Sequence, residues 1–212
     1  MFPRIASLVI GYLFGIIQTA YIYGKMNGID IREHGSGNAG TTNALRVLGK
    51  KAGAIVFAGD FLKCFIVIHL AKWIFKNLAS DILPLIGLYA ATGCILGHNF
   101  PIQLGFRGGK GIACTAGLLA AFDLRIGVIA LLTFLAIVIV TRYVSLGSMV
   151  IVTEFVLFIV IFGQLGYYHM AQAPLIEMYV LAAFLAGMAI YRHRANIVRL
   201  LNGTENRIFE KK

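Results

Sequence analysis

A run of glycine, hydroxyl and amide residues precedes an arginine early in the chain. Gly35, Gly37 and Gly40 allow backbone N–H groups to point together at one anion. The side chains among and after these glycines add hydrogen-bond donors, and they are Ser36, Asn38, Thr41, Thr42 and Asn43. Arg46 adds a planar guanidinium group that matches phosphate oxygens. This first segment, residues 35–46, therefore predicts a phosphate site.

Two other interpretations of the first segment are weaker. Its glycines match the G-x-G-x-x-G pattern of dinucleotide-binding folds, but that pattern requires a preceding strand. An apolar stretch of helical length precedes Gly35 instead. A flexible loop explains the glycines and the serine, but not so many donor side chains ahead of Arg46.

A second glycine-rich segment surrounds a lysine directly before a short apolar stretch. Lys110 is flanked by three glycines, which are Gly108, Gly109 and Gly111. The helix that follows presents its N-terminus, where partial positive charge favours anions. A loop with snorkelling basic residues is the alternative. We interpret residues 108–111, together with the upstream run Gly97-His98-Asn99-Phe100-Pro101, as a second anion cradle, here called the second segment.

The second segment differs from a nucleotide-binding P-loop at two positions. Leu104 stands where the first P-loop glycine is expected, and Gly111 stands where Ser or Thr would hold magnesium. Nucleotide hydrolysis is therefore not predicted. His98 has no second His or Cys at metal-ligand spacing, so no metal site is predicted either.

Further polar residues follow two later apolar stretches, at positions 142–148 and 191–205. If the last helix continues through the second of these groups, Arg192, Asn196 and Arg199 share one face. An ordinary basic tail beside the membrane is the alternative interpretation. Because two anion cradles accompany these residues, we interpret them as a third wall of the same site.

The composition indicates that membrane helices position these segments. Hydrophobic residues form 59% of the 212-residue chain, charged residues form 13%, and the mean hydropathy is +0.82. Soluble domains contain roughly 45–50% apolar and about 25% charged residues. The composition therefore excludes a soluble enzyme, a disordered chain and a disulfide-stapled secreted domain. Because strand-like alternation is absent, the prediction is an all-α, polytopic membrane helical bundle.

Seven apolar stretches predict seven transmembrane helices within one domain, residues 1–212. Their approximate bounds are Ile5–Tyr23, Ala52–Phe75, Ile82–Leu96, Ile112–Phe122, Ile126–Thr141, Met149–Phe162 and Ile176–Tyr191. The fourth stretch has eleven residues. It spans only about 16 Å as a helix, so it needs extra turns or a re-entrant start inside the protein.

The basic residues predict an orientation in the membrane. Fourteen Lys and Arg residues lie on one predicted side, four lie on the other, and Lys63 lies inside a span. The positive-inside rule then places the N-terminus outside and the C-terminus in the cytoplasm. All three polar groups fall on the cytoplasmic side. The net charge of +10 is explained by this bias and by anionic substrates, so a nucleic-acid partner is not predicted.

A few residues inside the spans carry separate predictions. Asp60 and Lys63 share a helical face, either as a structural ion pair or as a polar wall of the site. Glu154 is expected either to be buried uncharged or to pair with a distant arginine. The three cysteines fall in apolar stretches and are predicted to be buried thiols: Cys64, Cys94 and Cys114.

In these motifs the chain resembles the bacterial acyl-phosphate:glycerol-3-phosphate acyltransferases, the PlsY family. The resemblance covers nearly the whole length, and three motifs carry it: Ser36 to Asn43 with Arg46, residues 97–101 with 106–111, and Arg192 to Ile197 with Gly203-Thr204-Glu205. It implies transfer of a fatty acyl group from acyl-phosphate to the sn-1 hydroxyl of glycerol 3-phosphate. The products are lysophosphatidic acid and phosphate, in the first step of phospholipid synthesis. We expect a monomer in the bacterial cytoplasmic (inner) membrane, without a cofactor or metal.

The resemblance also suggests roles for individual residues. The expected catalytic residues are Ser36, Lys110, His193 and Asn196. The expected substrate-binding residues are Gly37, Asn38, Gly40, Thr41, Asn43, Arg46, His98, Gly108, Gly109, Gly111, Ser145 and Glu205.

The chemistry of acyl-phosphate favours a simple mechanism, because phosphate is a good leaving group. We expect direct attack by the glycerol hydroxyl, with His193 or the departing phosphate accepting the proton. Formation of an acyl-enzyme on Ser36 is the alternative, and it would require an adjacent base. The competing functional class is a membrane transporter or exchanger of phosphorylated solutes, although no inverted repeat is detectable in the sequence.

Overall fold

The computed structural model describes residues 1–208. Nine α-helices lie within these residues: α1 (Phe2–Gly15), α2 (Thr19–Met26), α3 (Thr41–Phe75), α4 (Leu83–Asn99), α5 (Ile112–Phe122), α6 (Leu124–Thr141), α7 (Val144–Gln164), α8 (Gln172–Arg192) and α9 (Arg194–Leu201). Short 3₁₀ helices occur at Ile31–Glu33, Ser80–Ile82 and Ile102–Leu104. The predicted all-α class is confirmed.

The helices form two compact units. The first unit, Met1–Phe122, contains α1 to α5, and the second begins at Asp123 and contains α6 to α9. This division concerns packing alone, so the expectation of one functional domain over residues 1–212 stays a prediction.

The described residues include six segments that are long and apolar enough to cross a membrane. They are Phe2–Met26, Thr41–Phe75, Ser80–Leu104, Leu124–Thr141, Val144–Gln164 and Gln172–Arg192. The short helix α5 has the predicted bounds, Ile112–Phe122, and gains no extra turns. The chain is therefore a multi-pass helical membrane protein.

The predicted first span, Ile5–Tyr23, lies within the apolar segment Phe2–Met26, but it is not one continuous helix. Helix α1 ends at Gly15, and α2 begins at Thr19. The carbonyl groups released at the break accept hydrogen bonds from buried side chains. Lys63 Nζ lies 2.7 Å from the Ile17 carbonyl oxygen, and Gln18 Nε2 lies 3.2 Å from the Gly15 carbonyl oxygen. Side chains therefore replace the backbone hydrogen bonds of a continuous helix.

Helices α1 and α4 approach each other closely through glycines on both surfaces. Gly11 and Gly15 on α1 face Gly93 and Gly97 on α4, with four-residue spacing on each helix. A Cβ atom at any of these glycines would overlap a backbone carbonyl group of the opposite helix. Small residues at this spacing let membrane helices gain close van der Waals packing.

Helix α3 consists of two helical parts joined at one glycine. Gly49 adopts a φ of 86° and a ψ of −177°, outside the helical region. The part before Gly49 carries Thr41, Thr42, Asn43 and Arg46 of the first segment, and the part after it forms the apolar span. The predicted end of this span at Phe75 is confirmed.

The last helix does not continue unbroken past the membrane span. Helix α8 ends at Arg192, and α9 starts at Arg194 after a turn at His193 with φ of −96° and ψ of 5°. The predicted continuous face of Arg192, Asn196 and Arg199 is therefore interrupted. Asn196 and Arg199 nevertheless remain neighbours, because both bind the same carboxylate.

Other predictions within the spans are resolved by packing. Cys64, Cys94 and Cys114 are free and buried, as predicted. Glu154 on α7 accepts a 3.1 Å hydrogen bond from Thr133 Oγ1 on α6. Among the described residues its other oxygen has no hydrogen-bond partner, so the expected distant arginine is not found within residues 1–208.

Candidate active site

In the first unit, a buried asparagine holds the first glycine-rich segment. Asn43 Oδ1 accepts a 2.8 Å hydrogen bond from the backbone N–H of Ser36. Its Nδ2 donates to the carbonyl oxygens of Ile31 and His34 at 3.1 and 2.9 Å. Its side-chain amide is therefore engaged in shaping the loop. Ser36 lies exposed on the folded loop.

The first segment leads directly into the N-terminus of α3, which begins at Thr41 after Gly40. The first turn of a helix offers backbone N–H groups that have no intrahelical partner. Arg46 is exposed, just over one turn into this helix. Thr41 Oγ1 is buried and has no hydrogen-bond partner among residues 1–208. The predicted donors Asn38, Gly40, Thr41 and Arg46 thus lie in one loop and the helix start that follows it.

This loop is stabilised by an ion pair that was not predicted from the sequence. Arg32 Nη2 lies 2.7 Å from Asp30 Oδ2, and its Nη1 donates to the Leu104 carbonyl oxygen at 3.2 Å. The hydrogen bond from Arg32 lowers the pKa of Asp30, so this carboxyl group stays ionised at neutral pH. The i, i+2 spacing of Asp30 and Arg32 was the available sequence signal. Through Arg32, the ion pair connects the chain before the first segment to Leu104, which lies just before the second segment.

The second segment folds back onto the C-terminal end of α4. The N–H groups of Gly108 and Gly109 donate to the carbonyl oxygens of Asn99 and His98 at 3.2 and 3.1 Å. These two N–H groups therefore donate hydrogen bonds within the fold. A Cβ atom at Gly109 would overlap His98 Nε2, so close packing on the ring requires glycine. A binding role for Gly108 and Gly109 stays a prediction.

Lys110 connects this packed turn to α5. It is half-buried and precedes Gly111, whose φ of 80° lies in the left-handed region. Helix α5 starts at the next residue, Ile112. The predicted arrangement of a lysine at the N-terminal end of a short helix is therefore confirmed in position. The anion that it would bind stays a prediction.

A buried polar cluster of Asp60, Lys63 and His98 lies beneath the second segment. Lys63 Nζ lies 2.8 Å from Asp60 Oδ1 and 3.0 Å from His98 Nδ1. Thr19 also donates to Asp60 Oδ1 at 3.1 Å. The two charged side chains are 1% and 6% exposed, and His98 is 3% exposed. The structural ion pair, one of the two predicted alternatives, is confirmed, and it extends to His98.

The same cluster contains the only set of metal-ligating side chains found within residues 1–208. Potential ligand atoms of Asp60, His98 and Cys114 all lie within 4.8 Å of one another. Sequence spacing could not reveal this set, because the residues come from α3, α4 and α5. The Lys63 ammonium group already lies next to the Asp60 and His98 donor atoms. A metal ion would have to displace this cation, so the donor set fits a lysine better than a metal.

In the second unit, the Glu205 carboxylate accepts hydrogen bonds from three side chains. Glu205 Oε1 accepts hydrogen bonds from Ser145 Oγ at 2.9 Å and from Asn196 Nδ2 at 2.6 Å. Its Oε2 accepts from Arg199 Nε at 2.7 Å. Ser145 and Asn196 are buried, and Glu205 is half-buried. The sequence predicted that Ser145, Asn196 and Glu205 belong to one site, and the Glu205 carboxylate does bind both Ser145 and Asn196.

His193 is held in a defined orientation beside this cluster. Its Nδ1 lies 2.8 Å from the Ala189 carbonyl oxygen. Because a carbonyl oxygen only accepts, Nδ1 is the donor, and the lone pair of a neutral ring lies on Nε2. His193 is buried, at 3% exposed. The ring therefore has the tautomer that can accept a proton at Nε2.

Comparison with known sequences gives a consistent family. A family profile described as glycerol-3-phosphate acyltransferase matches residues 5–203. A glycerol-3-phosphate acyltransferase of Clostridioides difficile (strain 630) is 43% identical over 213 residues, which cover 100% of this chain and 98% of the relative. One from Thermoanaerobacter sp. (strain X514) is 41% identical over 98% of this chain and 96% of its own length.

Solved structures agree with the sequence matches. The chain is similar to the crystal structure of PlsY, an integral membrane glycerol 3-phosphate acyltransferase, in its glycerol 3-phosphate form. The TM-score is 0.82 at 34% identity, covering 97% of this chain and 95% of the other. The lysophosphatidic acid form of PlsY gives a TM-score of 0.80 at 34% identity, covering 96% and 94% of the two chains.

Proposed function

We propose that this chain, which belongs to the glycerol-3-phosphate acyltransferase family, transfers a fatty acyl group from acyl-phosphate to the sn-1 hydroxyl of glycerol 3-phosphate. The products are lysophosphatidic acid and phosphate. One observation carries the proposal: the full-length likeness to an enzyme solved in a glycerol 3-phosphate form and a lysophosphatidic acid form. These two molecules are the acceptor and the product of this transfer.

Acyl-phosphate is proposed as the direct donor because both substrates then carry a phosphate group. The first unit provides two helix N-termini, each preceded by a glycine-rich segment and accompanied by Arg46 or Lys110. Such sites favour anions through partial positive charge and a fixed cation. The described residues form membrane helices and connecting segments, with no separate soluble domain that could recognise a carrier protein.

The proposed reaction is direct acyl transfer. The glycerol oxygen forms a bond with the acyl carbon, the bond from that carbon to the phosphate oxygen breaks, and phosphate departs. The hydroxyl proton passes to His193 Nε2 or to the departing phosphate. Lys110 stabilises negative charge on phosphate or on the carbonyl oxygen, and Arg46 and Asn196 orient glycerol 3-phosphate.

The surroundings of Ser36 support direct transfer over an acyl-enzyme. A serine nucleophile needs a hydrogen-bonded base. Within residues 1–208 the recorded hydrogen bond of Ser36 comes from its backbone N–H, and no histidine or carboxylate is bonded to its hydroxyl group. Ser36 is therefore proposed to contact substrate as a hydrogen-bond donor.

The choice of donor tests the proposed function. Purified protein with labelled glycerol 3-phosphate and acyl-phosphate should form lipid-extractable label. Acyl-CoA and acyl-(acyl carrier protein) should give no product above background, because the proposed site has no part that binds the CoA nucleotide or the carrier protein. Equal rates with acyl-CoA would contradict acyl-phosphate as the specific donor. Uptake of label into vesicles without a lipid product would favour a transporter.

We also propose the topology that the basic residues predict, which is seven membrane crossings with the N-terminus outside and the C-terminus in the cytoplasm. Seven crossings require α5 and the residues beside it to complete a crossing of the bilayer, in addition to the six longer segments. Of the fourteen basic residues on the cytoplasmic side, Lys211 and Lys212 lie outside the described residues. A monomer in the bacterial cytoplasmic membrane completes the proposal.

Fusion reporters test this topology. A reporter at the C-terminus should be active only as a cytoplasmic protein, and one at the N-terminus should be active only outside. Insertion of the reporter in the connection between α7 and α8, which contains no Lys or Arg between Gln164 and Gln172, should also report the outside. If both termini report the same side, the odd number of crossings is wrong.

A further inference from the structure

Lys63 determines which nitrogen of His98 carries the ring proton. An ammonium group has three protons and no lone pair, so every hydrogen bond that it makes is donated. Within 3.0 Å, Lys63 Nζ contacts the Ile17 carbonyl oxygen, Asp60 Oδ1 and His98 Nδ1. A fourth acceptor, the Gly15 carbonyl oxygen, lies farther away at 3.3 Å. His98 Nδ1 therefore accepts, and the neutral ring carries its proton on Nε2.

The protonated side of the His98 ring faces Gly109 of the second glycine-rich segment. A Cβ atom added to Gly109 would overlap His98 Nε2, and it would lie 2.7 Å from the Ala39 carbonyl oxygen. Nε2 therefore lies against Gly109 of the second segment, and the Ala39 carbonyl group of the first segment also lies beside Gly109. The His98 backbone carbonyl also accepts the Gly109 N–H at 3.1 Å. The residue thus supports the turn before Lys110 with both its backbone and its ring.

We propose that Asp60 and Lys63 are positioning residues for the phosphate site and that they act through His98. Asp60 holds the Lys63 ammonium group, Lys63 fixes the His98 tautomer, and the Nε2 edge of the ring packs against Gly109 and so keeps the second segment in register with the first. Burying the Asp60–Lys63 charge pair is energetically costly. Under this proposal the pair orients His98, in addition to binding the carbonyl groups between α1 and α2. The proposal rests on the proposed function, because the register matters only if both segments bind substrate phosphates.

The tautomer is tested first, in the unmodified protein. Nitrogen-15 NMR of histidine-labelled wild-type protein should show a non-protonated Nδ1 and a protonated Nε2 for His98, assigned with a His98→Asn variant. A protonated Nδ1 would overturn the proposal, whatever the activity of the enzyme. Lack of acyltransferase activity together with the expected tautomer would overturn the proposed function while the geometry of the cluster stands.

Kinetics test the positioning role. Lys63→Met should remove the tautomer preference and raise KM for a phosphate substrate by about tenfold or more, since a hydrogen bond to a charged group is lost. Lys72→Met is the matched control on the same helix. It should leave KM within about twofold, because Lys72 lies over the Phe122 ring and outside the buried polar cluster.

A double-mutant comparison separates positioning from general stability. The side-chain amide of glutamine can donate near the Nε2 position without needing an acceptor site for Lys63. In a His98→Gln background, Lys63→Met should therefore change KM by less than about twofold. An equally large change in both backgrounds would overturn the proposal. If Lys63→Met does not fold, Asp60→Asn replaces it in this comparison, and equal KM shifts with and without His98 would again overturn the proposal.

Discussion

Lys110→Met is expected to lower kcat/KM by at least about 10- to 100-fold. A hydrogen bond to a charged group contributes roughly 1.5–3 kcal/mol, which corresponds to this range. Lys110 precedes Gly111 and α5, where a helix N-terminus adds to its positive charge. The loss will be larger if the ammonium group acts mainly in the transition state. Initial rates at varied concentrations of both substrates, using purified protein, provide the measurement.

Lys76→Met is the control for this variant. Lys76 is exposed at the end of α3 that lies away from the first segment, so its loss should change kcat/KM by less than about twofold. Both variants should remain folded, because methionine fits a half-buried or exposed position without strain. A folded Lys110→Met protein with wild-type kinetics for both substrates would remove the second segment from the active site.

Glu205→Gln is expected to cause a second large loss, about 10- to 100-fold in kcat/KM. The substitution keeps the shape of the side chain but removes the charge that binds Arg199 at 2.7 Å. It also replaces one acceptor oxygen by an NH₂ group, so one of the three donors on Glu205 loses its partner. Charge-assisted hydrogen bonds of this kind contribute roughly 1.5–3 kcal/mol. Asn196 would then lose its fixed orientation.

Glu154→Gln is the matched change in the same unit. Its amide oxygen can still accept the hydrogen bond from Thr133, so activity should stay within about twofold of wild type. Thermal unfolding in detergent shows whether either variant loses stability. If Glu205→Gln lowers the unfolding temperature but leaves kcat/KM intact in the folded protein, the carboxylate supports the tail of the chain and not the reaction.

The sequence alone determined the class of fold and the regions that carry chemistry. Continuous apolar stretches allow only helices in a bilayer, so composition and length located the spans. The start of α3 is the exception, because the helix begins at Thr41 and not at the predicted Ala52. The bounds of α5 and the end of α3 agree with the prediction. Ser145, Asn196 and Glu205 were predicted as members of one site, because their motif matched a family, and they do converge.

Tertiary contacts decided the details that local patterns do not encode. Helix α1 breaks after Gly15 because Lys63, 48 positions later, supplies hydrogen bonds to the released carbonyl groups. Hydropathy averaged over a window does not reveal such a break, because both helices lie within one apolar segment, Phe2–Met26.

In the second segment too, the local sequence pattern did not reveal which contacts each residue makes. Its glycines were interpreted as an anion cradle, yet Gly109 is needed because the His98 ring leaves no room for a side chain. The pattern of residue types indicated where phosphate chemistry would occur. Only tertiary packing could assign each backbone N–H and the ring nitrogen to a partner, because the turn folds back onto the end of α4 and the His98 ring meets Lys63 from α3.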